Sequence, residues 1–513
     1  MNKKTLELNF FISIFVSFHW PILNLLNVNF IEFFKNGILS ILQTELIILS
    51  LSFFVLLIFK LLCMKFPKER ESFYLFIFFS LCMFFFFFKQ IYSTLGNFIS
   101  AYLNMDTGAY ILFLTLYFIF VYFIFNLKNI KKLASFTVIF SYFLIIQPIF
   151  SLTLKYINFD SSEKSSDQPF NFHDLKFKNR PNIYIIIPDG YVGPRNLKKL
   201  TGLSLDNFFQ QMNNYNFKVV DNPKSNYLGS ASSVASFFHM EYFRDEFSDK
   251  YNPPPSDYFP AVLNKTNLPI FLKYLKNNSY NFFMTSNWYV ACQKNNFNCV
   301  EESYSRFRFT QASNLIFKNT PLDLLFPNLF YLKVDNLSFV EKNFNEILSY
   351  EQPIFFFIHL MQPHDPHYFD KDCNVLDIKK IQAKDRLQNY KEAVQCVNKN
   401  LLRFASKLKT SDSNSIAIIF SDHGSGYIAN RRNTPYSQSK LALDERTETI
   451  MLVKSPQECH HLLKPQMGPI NLSRFIISCL SNTNIEYLDE RILVPGQNYD
   501  ETNSLIESFI LKE

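Results

Sequence analysis

The sequence predicts a chain in two parts. An α-helical membrane domain of about five spans fills residues 1–155, and an α/β domain with a mostly parallel sheet fills residues 182–513. Three observations lead to this fold class. Long apolar runs are confined to the first third, short apolar runs alternate with charged, helix-like segments in the rest, and the excess positive charge lies in the first third alone. A polar stretch at residues 156–181 is expected to be a linker.

The membrane prediction rests on five apolar runs. They occupy residues 8–27, 38–60, 73–88, 109–126 and 133–153. Each is close to the roughly 17–25 residues that cross a hydrocarbon core as a helix. One such run is also typical of a buried core helix, but five in succession favour insertion into a membrane. The first run is the weakest, because His19 and Pro21 interrupt it.

The net charge of +7 sorts by position and predicts the topology. Residues 1–155 hold 12 Lys and Arg against 6 Asp and Glu, whereas the remainder holds 39 against 38. Nine of these basic residues fall before the first run or in every second loop, and only Lys35 and Lys89 fall in the other loops. By the positive-inside rule the residues after 155 lie outside the cytoplasmic (inner) membrane of a bacterium. The charge is therefore interpreted as a topology signal, and no nucleic-acid partner is expected.

Cysteine usage agrees with an exported domain. Six of the eight cysteines follow residue 155, and they form three pairs that are close in sequence: 292–299, 373–396 and 459–479. We expect disulfides at these pairs, because an oxidising compartment such as the periplasm supports them. Unpaired buried thiols are the alternative.

The exported part alternates strand-like and helix-like segments, which predicts one α/β domain around a mostly parallel sheet. The strand-like runs are Asn182–Pro188, Phe217–Val220, Phe282–Thr285, Ile354–Ile358, Ile416–Phe420 and Ile450–Val453. The helix-like stretches are 196–215, 267–277, 337–350 and 378–409.

Three of these strands end in side chains that suit metal binding or acid–base chemistry. Asp189 follows the first strand, and Asp422 and His423 follow IAIIF. His359 follows IFFFI, with His364 and His367 close behind. Because ligands bind at the carboxyl ends of strands in open α/β sheets, we expect these groups to share one edge. Any one of them alone would be a turn residue or a core histidine.

A fourth segment supplies a candidate nucleophile. Ser230 follows Gly229 directly before a helix-like run that begins at Ala231. The first turn of a helix favours negative charge, which suits an attacking oxygen and an anionic substrate. The alternatives are an ordinary N-cap at Ser230, or a nucleophile at Ser232 or Ser233 instead.

Carboxylate, imidazole and hydroxyl ligands suit a divalent cation, and this mixed set favours Zn²⁺ or Mn²⁺. Such an ion lowers the pKa of a serine hydroxyl and polarises a phosphoryl oxygen. The set therefore predicts in-line displacement through a phospho-serine intermediate.

The segments NIYIIIPDGY, SNYLGSASSVAS, PIFFFIHLMQPHDPHYF, IIFSDHGSG and DERTETIMLV resemble the sulfatase-like branch of the alkaline phosphatase superfamily. A membrane anchor followed by an exported domain is similar to the lipoteichoic acid synthases and the lipid A phosphoethanolamine transferases. The resemblance implies an alkaline-phosphatase-like fold. Its implied metal ligands are Asp189, Ser230, Asp422 and His423.

The same resemblance implies roles for the histidines of the third segment. His364 matches the residue that contacts the substrate phosphate, and His359 is a second candidate for substrate binding or a structural residue at the strand end. The family nucleophile is usually Thr rather than Ser. Arg446 is interpreted either as a contact to an anionic substrate or as a solvated charge. No Cys/Ser-x-Pro-x-Arg motif lies near Ser230, which disfavours a formylglycine sulfatase.

These observations predict a membrane-anchored, metal-dependent phosphotransferase. It would move a phospho-head group from a phospholipid donor to an envelope glycan or lipid, and the resemblance implies that this group is of the phosphoethanolamine or phosphoglycerol type. Two alternatives stay open. One is a phosphodiesterase, phosphatase or sulfatase that hydrolyses small esters, and the other is a catalytically inactive protein that binds an envelope component.

Overall fold

The computed structural model describes most of the chain in several ranges. They are residues 3–28, 38–65, 77, 80–81, 85–87, 130–157, 175–242, 268–285, 298–300, 316–322, 326, 335–428, 439–495 and 506–510. The chain divides into two compact units. The first comprises Met1–Ser165 with Tyr304–Leu332, and the second comprises Ser166–Ser303 with Lys333–Glu513.

The first unit is helical. Helices α1 (Lys3–Val28), α2 (Ile38–Lys65) and α3 (Ile130–Ile157) overlap the first, second and fifth apolar runs. Among the described residues one stretch, Val138–Ile157, is long and apolar enough to cross a membrane, and Thr44–Val55 is a shorter apolar stretch. Most of the third and the whole of the fourth predicted span lie outside the described residues, so the five-span membrane domain stays a prediction.

A small apolar cluster holds the first unit together. Phe18, Ile22, Ile48 and Val138 are buried in it, and the pair Ile316 and Phe317 from much later in the chain is buried with them. The segment Tyr304–Leu332 therefore belongs to this unit, although it lies inside the range that the sequence assigns to the exported domain.

The second unit is built on a seven-stranded sheet with the order β2-β7-β6-β1-β5-β3-β4. Its strands are β1 (Ile183–Pro188), β2 (Lys218–Val219), β3 (Asn281–Met284), β4 (Asn298–Cys299), β5 (Ile354–Leu360), β6 (Ile416–Phe420) and β7 (Met451–Lys454). β1 lies parallel to both β5 and β6, and β3 lies parallel to β4 and β5. The α/β prediction is confirmed.

The sheet departs from the predicted parallel pattern at one end. β7 is antiparallel to β6 and to β2, so the sheet is mixed. The connection from Phe420 to Met451 begins and ends at the same edge of the sheet, which makes β7 run back beside β6.

Ten helices and a 3₁₀ turn accompany the sheet among the described residues. They are α4 (Pro194–Thr201), α5 (Asp206–Asn214), α6 (Ser230–His239), α7 (Ile270–Asn277), α8 (Asn336–Lys342), α9 (Phe344–Leu348), α10 (Ile378–Ala383), α11 (Arg386–Ser411), α12 (Lys440–Thr447), the 3₁₀ turn Gln457–Leu462 and α13 (Pro469–Ser481). A hairpin of β8 (Arg491–Pro495) and β9 (Ile506–Ile510) follows. Three of the four predicted helical stretches are split in two. The first predicted stretch is interrupted at Gly202, whose φ of 71° lies in the left-handed region and ends helix α4.

The sheet separates two apolar cores, because successive side chains of a strand point to opposite faces. Ile183, Ile185 and Ile187 of β1 pack in one core with residues of α6, α7 and α13. Tyr184 and Ile186 pack in the other core with residues of α5, α8 and α11. Burial on both faces explains why the central strands are continuous apolar runs, and each buried Ile contributes roughly 1.5–3 kcal/mol.

Two of the three predicted disulfides are present. Cys373 pairs with Cys396 of α11, and Cys459 pairs with Cys479 of α13. The third predicted pair, 292–299, includes a residue outside the described ranges.

Candidate metal centre and nucleophile

The carboxyl ends of the three central strands β6, β1 and β5 deliver the polar cluster. Asp189 is the first residue after β1 and is fully buried. Its backbone N–H donates to Leu360 O at 2.9 Å, which holds the end of β1 against β5. Gly190 follows with a φ of +70°, and a Cβ there would stand 3.6 Å from a ring carbon of His423 and 3.8 Å from one of His364. Glycine therefore lets the chain turn between two imidazoles.

The end of β6 carries the second carboxylate. Asp422 is fully buried, and its Oδ1 accepts hydrogen bonds from Gly190 N at 3.0 Å and His423 N at 2.9 Å. Ser421 ties the two strand ends together, because its Oγ accepts from Tyr191 N at 2.8 Å and lies 2.9 Å from Pro188 O. This serine was not singled out in the sequence, since its role depends on a neighbour more than 200 residues away.

The end of β5 brings in an imidazole. His359 pairs in register with Ile187 and is fully buried. Its Nε2 stands 3.7 Å from Asp189 Oδ2 and 4.0 Å from Asp422 Oδ2. Asp189, His359 and Asp422 each offer one ligand atom, and these atoms lie within 4.8 Å of one another. The geometry places His359 among candidate metal ligands, whereas the sequence assigns it to the substrate, and that assignment stays a prediction.

His423 closes the cluster on the nucleophile side. Its Nε2 is 3.6 Å from Asp189 Oδ1 and 3.5 Å from Asp422 Oδ2. Its Nδ1 is 2.9 Å from Gly424 O. Because a carbonyl oxygen can only accept, Nδ1 carries the ring proton, and Nε2 presents a lone pair to the cluster.

Ser230 is the first residue of α6. The N-cap is Gly229, so the interpretation of Ser230 as an ordinary N-cap is wrong. Its Oγ lies 3.1 Å from His423 Nε2 and can donate its proton to that lone pair. Ser233 instead points to Ser225, at 3.3 Å between the two hydroxyl oxygens. The geometry favours Ser230 as the nucleophile, and the assignment stays a prediction.

The protonation states of the cluster suit a cation. Burial lowers the pKa of His359 to about 4. Burial and the nearby Arg446 lower the pKa of His423 to about 3. Burial alone would raise the pKa of the Asp422 carboxyl, but His423, His359 and the hydrogen bonds it accepts hold that pKa below its ordinary value. At neutral pH the imidazoles are therefore neutral and Asp422 is charged, which is the state that metal ligands require.

The donor set fits a divalent ion. Asp422 Oδ2 is buried and makes no hydrogen bond of normal geometry with any described residue. A buried carboxylate oxygen of that kind is costly unless a cation compensates it. Carboxylate oxygens beside imidazole nitrogens suit Zn²⁺ or Mn²⁺ better than Ca²⁺ or Mg²⁺. Asp189, Asp422, His423, His359 and Ser230 are the residues that would hold it.

The loop after β5 carries the other two histidines. His364 Nδ1 is 2.6 Å from Asp365 O, and burial lowers its pKa, so its Nε2 is a neutral acceptor beside Gly190. His367 is occupied elsewhere, because its Nε2 lies 2.7 Å from Asp365 Oδ1 and 2.8 Å from Tyr427 OH. Asp365 also pairs with Arg386 of α11. The structure therefore places His364 near the cluster and gives His367 contacts that brace the loop.

Two neighbouring residues of α12, Glu445 and Arg446, form hydrogen bonds to the loops that carry the cluster. Glu445 is fully buried and accepts from Ser425 Oγ at 2.5 Å and from Tyr427 N and Ile428 N, each at 2.7 Å. Arg446 is 6% exposed and donates to two backbone carbonyls. The interpretation of Arg446 as a solvated charge is therefore wrong. A helix of eight residues gives too short a pattern for the sequence to reveal buried charges.

Comparison with known proteins identifies the family of the chain. The sequence model of the Sulfatase family matches residues 197–482, which is more than half of the chain. The chain therefore belongs to the Sulfatase family, as the motifs predict, and it is a sulfatase-like enzyme. Ser230, His359, His364, Asp422 and His423 fall inside the matched range, and Asp189 precedes it. No curated protein sequence matches the chain.

Several solved structures are similar to this chain at low sequence identity. The zinc complex of the C-terminal periplasmic domain of EptC from Escherichia coli is 12% identical, with 64% of this chain and 93% of that one covered and a TM-score of 0.41. The periplasmic domain of the phosphoethanolamine transferase EptC from Campylobacter jejuni is 14% identical, with 61% and 92% covered and a TM-score of 0.39. The soluble domain of lipooligosaccharide phosphoethanolamine transferase A from Neisseria meningitidis is 14% identical, with 60% and 92% covered and a TM-score of 0.37.

Proposed function

We propose that the protein is a membrane-anchored, metal-dependent phosphotransferase. It moves a phospho-head group, of the phosphoethanolamine or phosphoglycerol type, from a lipid donor to an envelope glycan or lipid. One observation carries the proposal: the hydroxyl of Ser230, in the first turn of α6, lies 3.1 Å from His423 Nε2 beside the buried carboxylates of Asp189 and Asp422. A candidate nucleophile and the side chains that would hold a cation therefore lie within contact distance of each other.

The reaction proceeds in two displacements. Ser230 Oγ forms a bond to the phosphorus of the donor, the bond from phosphorus to the diacylglycerol oxygen breaks, and diacylglycerol leaves with a proton. An acceptor hydroxyl then attacks the phospho-serine, gives up its proton, and restores the Ser230 hydroxyl. His364 Nε2, a neutral acceptor, is suited to carry these protons. A bound Zn²⁺ or Mn²⁺ would neutralise the charge that develops on the phosphoryl oxygens.

The membrane anchor and the periplasmic side are parts of the same proposal. Among the described residues, most of the exposed large apolar side chains lie on α2 and α3, for example Phe53, Ile139 and Phe143. Exposed apolar surface on this scale is unfavourable in water and is typical of helices that face lipid. The loop charges favour placing the second unit outside the cytoplasm, where phospholipids and envelope glycans are available to it.

A direct test uses the full chain in lipid nanodiscs with Zn²⁺ or Mn²⁺. Fluorescent phosphatidylethanolamine and phosphatidylglycerol are supplied separately, and release of labelled diacylglycerol is measured. We expect Ser230→Ala to lower turnover at least about 1,000-fold, because it removes the attacking oxygen. Ser232→Ala is the matched control, since Ser232 lies two residues further along the same helix, and its turnover should stay within about threefold. Equal turnover in wild type and Ser230→Ala contradicts the nucleophile assignment.

Hydrolysis of small esters is the second candidate, and membership of the Sulfatase family favours it. The same cluster could transfer the bound group to water. Turnover of aryl phosphate or aryl sulfate monoesters without any release of diacylglycerol would select this candidate. A catalytically inactive binding protein is less favoured, because the buried carboxylates and imidazoles are costly to keep without a cation.

A further inference from the structure

Arg446 connects the nucleophile segment with the metal-ligand segment. It is the penultimate residue of α12. Its Nε donates to the carbonyl oxygen of Leu228 at 2.8 Å, and Leu228 lies two residues before Ser230. Its Nη1 donates to the carbonyl oxygen of Gly424 at 3.0 Å, and Gly424 directly follows His423. A single guanidinium thus holds two loops that are almost 200 residues apart in sequence.

The carbonyl of Gly424 is shared with the imidazole. It accepts from His423 Nδ1 at 2.9 Å as well as from Arg446. Gly424 N in turn donates to Arg446 O at 2.7 Å, so the loop is fixed in both directions. A Cβ on Gly424 would overlap the backbone oxygen of Glu445, which shows how closely α12 lies against this loop.

We infer that Arg446 is a positioning residue that sets the relative placement of Ser230 and His423. The planar fork of a guanidinium directs its donors along fixed lines, whereas the ammonium of a lysine is a point charge on a flexible chain. In this role Arg446 acts through the two carbonyls, Leu228 O and Gly424 O. The inference deepens the proposed function and rests on it for the catalytic readout.

The chain offers a matched control. Arg474 of α13 is 3% exposed, and its Nε and Nη2 donate to Met240 O at 3.0 and 2.8 Å while its Nη1 donates to Glu486 O at 2.8 Å. Met240 is the C-cap of α6, so Arg474 performs the same kind of clamp at the end of the helix away from Ser230. If replacing a buried arginine acts only by lowering the stability of the protein, substitutions of Arg446 and Arg474 should have the same effect.

The experiment compares Arg446→Met, Arg446→Lys and Arg474→Met in the full chain in nanodiscs. We expect kcat for lipid turnover to fall at least about 100-fold in Arg446→Met with KM within threefold, since a misplacement near 1 Å costs about that factor. Arg446→Lys should recover part of the loss. Arg474→Met should keep kcat within threefold while its thermal midpoint falls as much as that of Arg446→Met.

A second readout does not depend on turnover. Zinc is removed with a chelator, and the affinity of each protein for Zn²⁺ alone is measured. We expect the affinity to fall about 10-fold or more in both Arg446 variants and to stay within threefold in Arg474→Met, because displaced supports of metal ligands typically have that effect. Wild-type zinc affinity in both Arg446 variants, or an equal loss in Arg474→Met, overturns the inference. A wild type without lipid turnover but with this zinc pattern refutes the proposed function and leaves the inference supported.

Discussion

At the scale of single residues, the candidate site depends on which ring nitrogen of each histidine faces the cluster. Gly424 O fixes the proton of His423 on Nδ1, so Nε2 faces Ser230 and the carboxylates. His364 uses its Nδ1 in the same way on Asp365 O. Neighbouring backbone carbonyls thus set the tautomer of two separate imidazoles, which allows each to act as an acceptor or ligand without prior deprotonation.

The role of His359 yields a prediction at this scale. Its Nε2 stands 3.7 Å from Asp189 Oδ2 and 4.0 Å from Asp422 Oδ2, so His359→Gln should weaken Zn²⁺ binding of the metal-free full chain at least about 10-fold. Isothermal titration with Zn²⁺ measures this directly. His367→Gln is the control and should keep the zinc affinity, because its contacts are to Asp365 and Tyr427. An unchanged zinc affinity with a raised KM for the lipid would return His359 to substrate binding.

Much of this cluster could be predicted from the sequence, because Asp189, Asp422 and His423 each follow a continuous apolar strand. The support around it could not. Arg446 acts on carbonyls 22 and 218 residues away, and hydrogen bonds of that range leave no periodic trace in the sequence. The sequence placed His359 at this edge as well, but its distances to the two carboxylates depend on the parallel register between β1 and β5.

Helix α6 joins the site to the core at the scale of the element. Ser230 lies at its first turn and Val234, Phe237 and Phe238 are buried along it, so the candidate nucleophile stands on an element fixed by packing. The helix begins without a side-chain cap at Gly229, which leaves the N–H groups of its first turn available to an anion. The strand-then-helix pattern was visible in the sequence, whereas the breaks inside three predicted helices and the reversal of β7 were not.

His239, the last residue of α6, should make the stability of the protein depend on pH. Burial, with a contribution from the charge of Lys273, lowers the pKa of His239 to about 4. In the unfolded chain the pKa of His239 is near 6.5, so between pH 6.5 and pH 4 the unfolded chain binds more protons than the folded one. The contribution of His239 to the free energy of unfolding is therefore fully present above pH 6.5 and is lost as the pH falls towards 4. His239→Gln removes this contribution. From pH 7.5 to pH 5 the free energy of unfolding should therefore fall less in the variant than in the wild type, by at most about 2 kcal/mol. Urea unfolding at both pH values measures it. Identical pH dependence in variant and wild type contradicts a lowered pKa of His239 in the folded protein.

The whole molecule combines a helical unit with an α/β unit, and its topology can be tested. Alkaline phosphatase fusions after residue 70 and after residue 131 should be inactive in a bacterial host, and fusions after residue 36 and after residue 157 should be active, because that reporter folds only outside the cytoplasm. β-Galactosidase fusions at the same positions provide the inverse control. An active phosphatase fusion after residue 131 together with an inactive one after residue 157 would reverse the proposed orientation.

The passage of Tyr304–Leu332 into the first unit changes how the protein can be divided. The chain crosses between the units at 165–166, at 303–304 and at 332–333, so three covalent connections join them. A soluble fragment cut at the linker would keep Ile316 and Phe317 but lose Phe18, Ile22 and Ile48, which bury them in the intact protein. A fragment that begins at residue 182 therefore carries an apolar segment whose buried side chains pack, in the intact chain, against residues that the fragment lacks.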